Sequence, residues 1–405
     1  MTMENKKQYD VCIVGGAGHV GLPLAIVFAH KGMNVLINDI NEGSMRTISE
    51  GRLPFMEHDA EPLLKKALKE KRLSFSSDPA DVAKASTVVI TIGTPVDEFL
   101  NPVRQTVKDC LAPLLPHLFR GGLLVLRSTV FPGMTTWLDK YLKENGKEMS
   151  VAFCPERIVQ GYAIKELQNL PQIISGTTPG SEEKAAELFG KIAPSLVRLS
   201  PIEAEFAKLF SNAYRYIQFA ATNQFFMMAN SAGVDYHKVL EGIKQDYPRA
   251  SNIPGPGFAA GPCLFKDTMQ LAAFNNNNFS LGHAAMLVNE GLPLYLVEEL
   301  SQKCDLEDTT VGLLGMAFKA DSDDVRSSLS YKLKKLLAFR AKGLLMTDPH
   351  VTTDPSLVPL EEVISKSDVL VLCAPHKEYK DLDLKGKPIL DVWGFLKQNF
   401  LTATV

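Results

Sequence analysis

The sequence predicts an α/β protein of two doubly wound, Rossmann-like parallel-sheet domains joined by a mainly helical central domain, and three observations carry that prediction. Short, near-continuous apolar runs alternate with helical segments through residues 11–174, the pattern of a parallel sheet covered on both faces. Residues 201–232 are apolar at helical spacing, with no glycine or proline after Pro201. Past Thr309 the alternation of strand and helix resumes.

The strands of the first domain, residues 1–199, are expected at 11–14, 34–37, 88–92, 123–126, 151–153 and 172–174. Pro201 sits where a helix can begin, since a first-turn residue needs no amide hydrogen, so one long helix should open a central domain over residues 200–302. A Pro- and Gly-rich interruption at 248–262 breaks the helical pattern, which returns from 279 to 300. Strands at 311–314, 344–346, 369–373 and 389–392 then build a smaller α/β domain over residues 303–405.

Composition narrows the function. A chain of 405 residues has room for two or three domains, each with its own core. Its 43 basic and 46 acidic residues leave a net charge of −3 and no dense Lys/Arg run, which argues against a nucleic-acid partner. No apolar stretch approaches the ~18 residues of a membrane span, and the polar first residues carry no signal region, so a cytoplasmic protein is expected. Six scattered cysteines without Cys-x-x-Cys spacing point to neither a disulfide framework nor structural zinc. His19, His58, His283, His350 and His376 show no metal-ligand spacing, so no metal is expected.

The first strand runs into Gly15-Gly16-Ala17-Gly18-His19-Val20-Gly21 and then an apolar helix. Gly16 allows a tight turn, Gly18 lets the backbone approach a pyrophosphate, and Gly21 lets helix and strand pack closely, with the helix N-terminus facing the negative charge. A Gly-x-Gly-x-x-Gly string alone is weak. Here the second strand leads to Asp39, 18 residues after Gly21 and near the ~20 expected for an acid that binds a ribose 2′-hydroxyl. Such an acid repels a 2′-phosphate, so NAD is expected over NADP. The competing reading is that Asp39 caps the next helix.

Cys263 lies in a loop of small residues, with Lys266 three and Asp267 four positions later. Small residues admit a ligand to the backbone, and a cation or helix N-terminus lowers a thiol pKa, which would make Cys263 a nucleophile. Free cysteines are more often buried small hydrophobes. Lys208 and Asn212, four apart on the long helix, share a face and can address one ligand if that face is buried. Glu156 follows a strand where doubly wound folds open their crevice, either as a general base or as the ion partner of Arg157 or another cation. Cys154, Trp137 and Trp393 read as packing residues, and Met227 and Met228 as core or dimer interface.

Taken in order, these strings resemble the UDP-glucose/GDP-mannose dehydrogenase family over nearly the whole chain. The resemblance rests also on Gly51-x-x-Pro54-x-x-Glu57, Gly93-Thr94-Pro95, Ser128-Thr129-Val130-x-Pro132-Gly133-x-Thr135, Pro248-Arg249 and Gly315-x-x-Phe318-Lys319 with Asp324-x-Arg326. It implies an NAD-dependent, four-electron oxidation of a UDP-sugar C6 alcohol to a carboxylate. Cys263 would trap the aldehyde as a thiohemiacetal, and a second hydride transfer would leave a thioester for water to cleave. Lys208 and Asn212 would stabilise charge on the C6 oxygen, Asp267 would position water or relay a proton, Glu156 would assist hydrolysis, and Thr129 would order water and cofactor. The resemblance assigns Thr94, Thr129, Lys266 and Arg326 to NAD, with Gly16, Gly18, His19, Val20, Gly21 and Asp39. Gly257, Phe258, Phe318 and Lys319 would line the UDP-sugar, beside Glu156, Lys208 and Asn212. Arg249 would reach a neighbouring subunit's site in a homodimer built on the long helix.

Departures from the family pattern bear on the sugar. The loop reads Phe-Ala-Ala-Gly-Pro-Cys where relatives commonly have Phe-Gly-Gly-Ser-Cys or Gly-Gly-His-Cys, so Ala259 and Ala260 should narrow the space there. Cys154-Pro155-Glu156-Arg157 is similar to the branch acting on UDP-N-acetylhexosamines, and Lys266-Asp267 to the UDP-glucose branch. Gln160 stands where the latter often has a glutamate. Ser44 replaces a basic residue, and Asp391-Val392-Trp393-Gly394 lacks an arginine. Two other readings stay open: a two-electron β-hydroxyacid-type dehydrogenase, which needs neither the cysteine nor a third domain, and a catalytically silent NAD-binding regulator.

Overall fold

The computed structural model describes residues 7–94, 96–97 and 103–396; Pro95 of the Gly-Thr-Pro string lies outside them. The chain divides into two compact units, Met1–Phe210 and Ser211–Val405.

The first unit runs β1 (Tyr9–Val14), α1 (Gly21–His30), β2 (Val35–Asn38), α2 (Glu42–Ser49), α3 (Ala60–Lys69), β3 (Leu73–Ser76), β4 (Ala85–Ile90), α4 (Arg104–Leu111), β5 (Leu123–Leu126), α5 (Met134–Glu144), β6 (Ser150–Phe153), α6 (Ala163–Asn169), β7 (Gln172–Gly176), α7 (Pro179–Phe189) and β8 (Leu196–Arg198). These strands form one sheet in the order β3-β2-β1-β4-β5-β6-β7-β8. The central strands are buried along their length, as their unbroken apolar runs require, and separate cores lie on the two faces. Strand order reverses between β1 and β4, so the loops after those strands flank the crevice where doubly wound sheets bind ligands.

The sheet is not wholly parallel, contrary to the expectation from sequence. Strand β7 pairs antiparallel with β6, and β8 runs parallel to β7. The connection from β6 to β7 stays at the carboxyl edge instead of crossing back over the sheet. Buried Glu57 holds it there, accepting N–H groups of Gly161 (3.0 Å) and Ile164 (3.4 Å). Strands β3 and β8 escaped the sequence reading because edge strands need no continuous apolar run.

Helix α8 (Pro201–Ser231) begins in the first unit and continues into the second, where α9 (Tyr236–Lys244), α10 (Leu264–Phe274) and α11 (Ser280–Ser301) follow. The second unit then forms β9 (Thr310–Leu314), α12 (Leu329–Leu337), β10 (Gly343–Thr347), α13 (Leu360–Lys366), β11 (Val369–Leu372) and β12 (Ile389–Leu390). Its four strands form a parallel sheet in the order β10-β9-β11-β12. Phe226 of α8 and Leu292, Leu296 and Leu300 of α11 share one core with Val311 and Leu313 of β9. Among the described residues, no helix is long and apolar enough to cross a membrane.

Candidate active site

The turn after β1 has the geometry of a phosphate cradle, with one change of roles. The left-handed residue is Gly15 (φ 76°), not Gly16. Gly16 and Gly21 are required by crowding: a Cβ on either would lie 2.6 Å from a backbone oxygen, of Ile13 and Gly15 respectively. A Cβ on Gly18 would meet only the Gly15 oxygen at 3.5 Å, so its outer side is open. No side chain caps α1 at Val20, which leaves its first amides for a pyrophosphate. Asp39 reaches back to this turn, its carboxylate accepting the N–H of Ala17 and of Asn41, each at 2.9 Å. The cap of α2 is Asn41, whose side chain accepts the Ser44 N–H, so Asp39 is left to the turn. These residues fit a dinucleotide. Beside them the His19 ring lies against Phe55, with its Nδ1 2.7 Å from Gln160 Nε2. At the ends of β4 and β5, Thr94 donates to the Thr129 carbonyl at 2.6 Å.

Glu156 follows β6 as expected, but its partner is Arg127, which sequence reasoning passed over. The Arg127 side chain has no exposed surface. It donates to the Glu156 carboxylate and, at 3.0 Å each, to the Cys154 carbonyl and Gln172 Oε1, with its guanidinium 4.9 Å from the Phe189 ring centroid. The other Glu156 oxygen accepts the N–H of Arg157 (2.7 Å) and Ile158 (3.0 Å). This carboxylate is therefore held in one orientation by three donors. Glu205, on the first turns of α8, does similar work for the Thr129 string: it accepts the Gly133 N–H and both donors of Thr135 at 2.6–2.8 Å. Burial raises its pKa against the pull of those bonds.

In the second unit, Cys263 is exposed at the N-cap of α10, a position where the positive end of a helix favours a thiolate. Four residues on, Asp267 is wholly buried; Lys266 Nζ lies 2.8 Å from one of its oxygens and Asn212 Nδ2 2.5 Å from the other. Lys266, expected at the dinucleotide, is thus paired with Asp267. The face of α8 that carries Lys208 and Asn212 is buried at both positions, the condition under which both can address one ligand. Arg326 is fixed in a bidentate bond to Asp324, which raises its pKa against burial, with smaller contributions from the Asp324 and Cys263 charges.

The Cys263 loop is shaped by close packing. A Cβ on Gly257 (φ 140°) would come within 2.4 Å of the Trp393 ring, and one on Gly261 (φ 100°) within 2.7 Å of the Phe318 ring. No L side chain fits either place. Buried Asn223 of α8 clasps the Gly257 peptide from both sides, donating to its carbonyl (3.0 Å) and accepting its N–H (2.8 Å). Phe258 is buried in the core, and Arg249 is exposed over Tyr247. Ala259 packs against Tyr216 and Ala285, while Ala260 and Gly261 line a cavity of about 390 Å³ together with Ser327, Tyr331 and Lys332.

The fold also gathers histidines that are remote in sequence. Asp321, His350, His376 and Glu378 each bring a ligand atom within 4.8 Å of the others. Both ring nitrogens of His376 are engaged in hydrogen bonds within the protein.

Known proteins resemble the chain along nearly its whole length. Residues 9–193 match the NAD binding domain of the UDP-glucose/GDP-mannose dehydrogenase family, 202–291 its central domain and 312–398 its UDP binding domain. The chain is 30% identical to a UDP-N-acetyl-D-mannosamine dehydrogenase of Methanococcus vannielii, over 98% of this chain and 95% of that protein. It is 28% identical to an NDP-N-acetyl-D-galactosaminuronic acid dehydrogenase of Ralstonia nicotianae, over 96% and 97% of the two chains. A solved UDP-D-ManNAc dehydrogenase from Pyrococcus horikoshii is similar with a TM-score of 0.90 at 26% identity, covering 98% of this chain and all of that one. With three successive domain matches and a relative at this identity over nearly its full length, the chain belongs to the UDP-glucose/GDP-mannose dehydrogenase family, whose cofactor is NAD.

Proposed function

We propose that the protein is a nucleotide-sugar 6-dehydrogenase that carries the C6 alcohol of a UDP-hexose to the carboxylate in two successive two-electron steps. The observation that carries this reading is Cys263, the one exposed thiol among six cysteines, at the N-terminus of a helix that also presents buried Asp267 bonded to Asn212. The names of the relatives and the Cys154–Arg157 string favour a UDP-N-acetylhexosamine over UDP-glucose.

NAD, bound at the turn of residues 15–21, supplies a hydride acceptor in each of two rounds. Lys208 and Asn212 hold the C6 oxygen as its proton leaves. The Cys263 thiolate then adds to the aldehyde carbon, and the new C–S bond keeps this intermediate in place as a thiohemiacetal. Loss of the second hydride from that carbon leaves a thioester on Cys263. Water ordered by Thr129 and Asp267, deprotonated with help from Glu156, cleaves the C–S bond to give the uronate and the free thiol.

The chain is read as three domains, residues 1–199, 200–302 and 303–405, and as a cytoplasmic homodimer. Phe210, Tyr214, Phe225 and Met228 are exposed within about 60° of one another around α8, a stripe that a second copy would cover. Sedimentation should give twice the chain mass, and Phe225→Glu with Met228→Glu should halve it.

The test of the reaction is stoichiometry. Two NADH should form per UDP-N-acetylhexosamine consumed, with lower initial rates on UDP-glucose. One NADH per sugar, or full turnover in Cys263→Ala, would sink the mechanism.

A further inference from the structure

We propose that the buried Asp348–His376 couple is a positioning device for the nucleotide sugar, setting the loop between β9 and α12 that carries Phe318 and Lys319; this rests on the UDP-sugar reading above. Neither side chain has exposed surface. His376 Nδ1 accepts the N–H of Asp321 at 3.0 Å, so that nitrogen is unprotonated, and the ring proton sits on Nε2, which donates to Asp348 Oδ2 at 3.0 Å. The same Asp348 oxygen accepts the N–H groups of Met316 (2.6 Å) and Ala317 (2.9 Å), and the other accepts those of His350 (2.8 Å) and Val351 (3.0 Å). Asp321 in turn accepts the Lys377 N–H at 3.2 Å, next to His376 in sequence.

Phe318 and Lys319 therefore hang between two anchors, 316–317 on Asp348 and 321 on His376, and a single imidazole joins the anchors. Asp321 adopts a left-handed backbone (φ 49°), a conformation that an aspartate keeps when its surroundings impose it. The Phe318 ring at the centre of this span lies against Gly261 of the Cys263 loop. A shift of the span would move a substrate-lining aromatic and the adjacent cation together. His376 touches no substrate in this account; it acts through the loop.

Two conservative variants divide the couple. His376→Asn keeps an acceptor near Nδ1 and loses the donor to Asp348, while His376→Gln keeps the donor and loses the acceptor. Each should raise the KM for the UDP-sugar about three- to tenfold, as expected for one lost buried hydrogen bond, with kcat and the KM for NAD within twofold of wild type. Hydrogen exchange read without substrate should quicken in peptides spanning 316–327 and stay unchanged in β9 and β11. Unchanged exchange at 316–327 in both variants overturns the proposal, and so does quickened exchange with an unaltered KM. Zinc chloride that raises the unfolding midpoint of wild type but not of His376→Asn also overturns it, by assigning the four-residue cluster to a cation. Absence of UDP-sugar oxidation by wild type would fall on the functional reading alone, since the exchange measurement needs no substrate.

Discussion

Arg127 and Glu156 form an ion pair, its guanidinium fully buried and its carboxylate half-buried, that ties the end of β5 to the loop after β6, with the guanidinium further bonded to the Cys154 carbonyl and Gln172. Removing one partner of such a pair leaves a charge in a dry site, which costs about 3–5 kcal/mol. Arg127→Met should lower the urea midpoint by that order, and adding Glu156→Gln should recover part of it. Equal stability of wild type and Arg127→Met would show that Glu156 is not held by this contact.

Thiol chemistry should single out one cysteine. Burial pushes the thiols of Cys12 and Cys154 up to about 12 and that of Cys110 to about 11, whereas Cys263 is exposed at a helix N-terminus. Iodoacetamide at pH 8 should modify Cys263 first and abolish turnover with one equivalent incorporated, as read by peptide mass spectrometry. Earlier loss of Cys12 or Cys154 would contradict the burial.

Asp39 should set cofactor choice. A charged acceptor for a ribose hydroxyl contributes about 1.5–3 kcal/mol, so Asp39→Ala should raise the KM for NAD by roughly ten- to a hundredfold while improving use of NADP. Unchanged KM values for both cofactors would remove Asp39 from the site.

The acid limb of stability should report Asp348. Burial opposes ionisation there, but the bond donated by His376 and the N–H groups of Ala317 and His350 outweigh it and lower the carboxyl from 3.8 to about 2. A carboxyl that is a stronger acid when folded stabilises fully above its unfolded pKa, and that contribution fades as pH falls from about 4 towards 2, by roughly 2 kcal/mol in all. Urea midpoints should therefore drop less steeply between pH 5 and pH 3 in Asp348→Asn than in wild type.

Gly261 should tolerate no side chain. Its left-handed φ and the Phe318 ring 2.7 Å from a would-be Cβ make Gly261→Ala both strained and crowded, at about 1–3 kcal/mol. A thermal midpoint equal to wild type would mean that the loop can rearrange freely.

Local pattern was enough to read the alternating architecture, the long helix beginning at Pro201, the Gly-rich turn, Asp39 and the cysteine loop. Each is written in a few adjacent residues: a period of burial, a residue that lacks an amide hydrogen, a run that lacks Cβ atoms. Capping and ligand roles share one residue type, so the sequence leaves Asp39 open to both, and only the placement of Asn41 as the cap of α2 separates them. The antiparallel β7 was illegible for another reason. Hydrophobic period gives a strand but not its direction, which here follows from Glu57 holding a segment about a hundred residues further on.

The class of fold, the dinucleotide turn and the family-marking residues are legible along the chain because each depends on neighbouring residues. Folding in three dimensions is what pairs Glu156 with Arg127 and Asp267 with Asn212 and Lys266, lets Asn223 clasp Gly257, and sets His376 between Asp348 and Asp321. The difference lies in the range of the interaction. A hydrogen bond or ion pair acts over about 3 Å of space, and residues as far apart in sequence as 321 and 376 meet only after the sheet has brought its strand ends together.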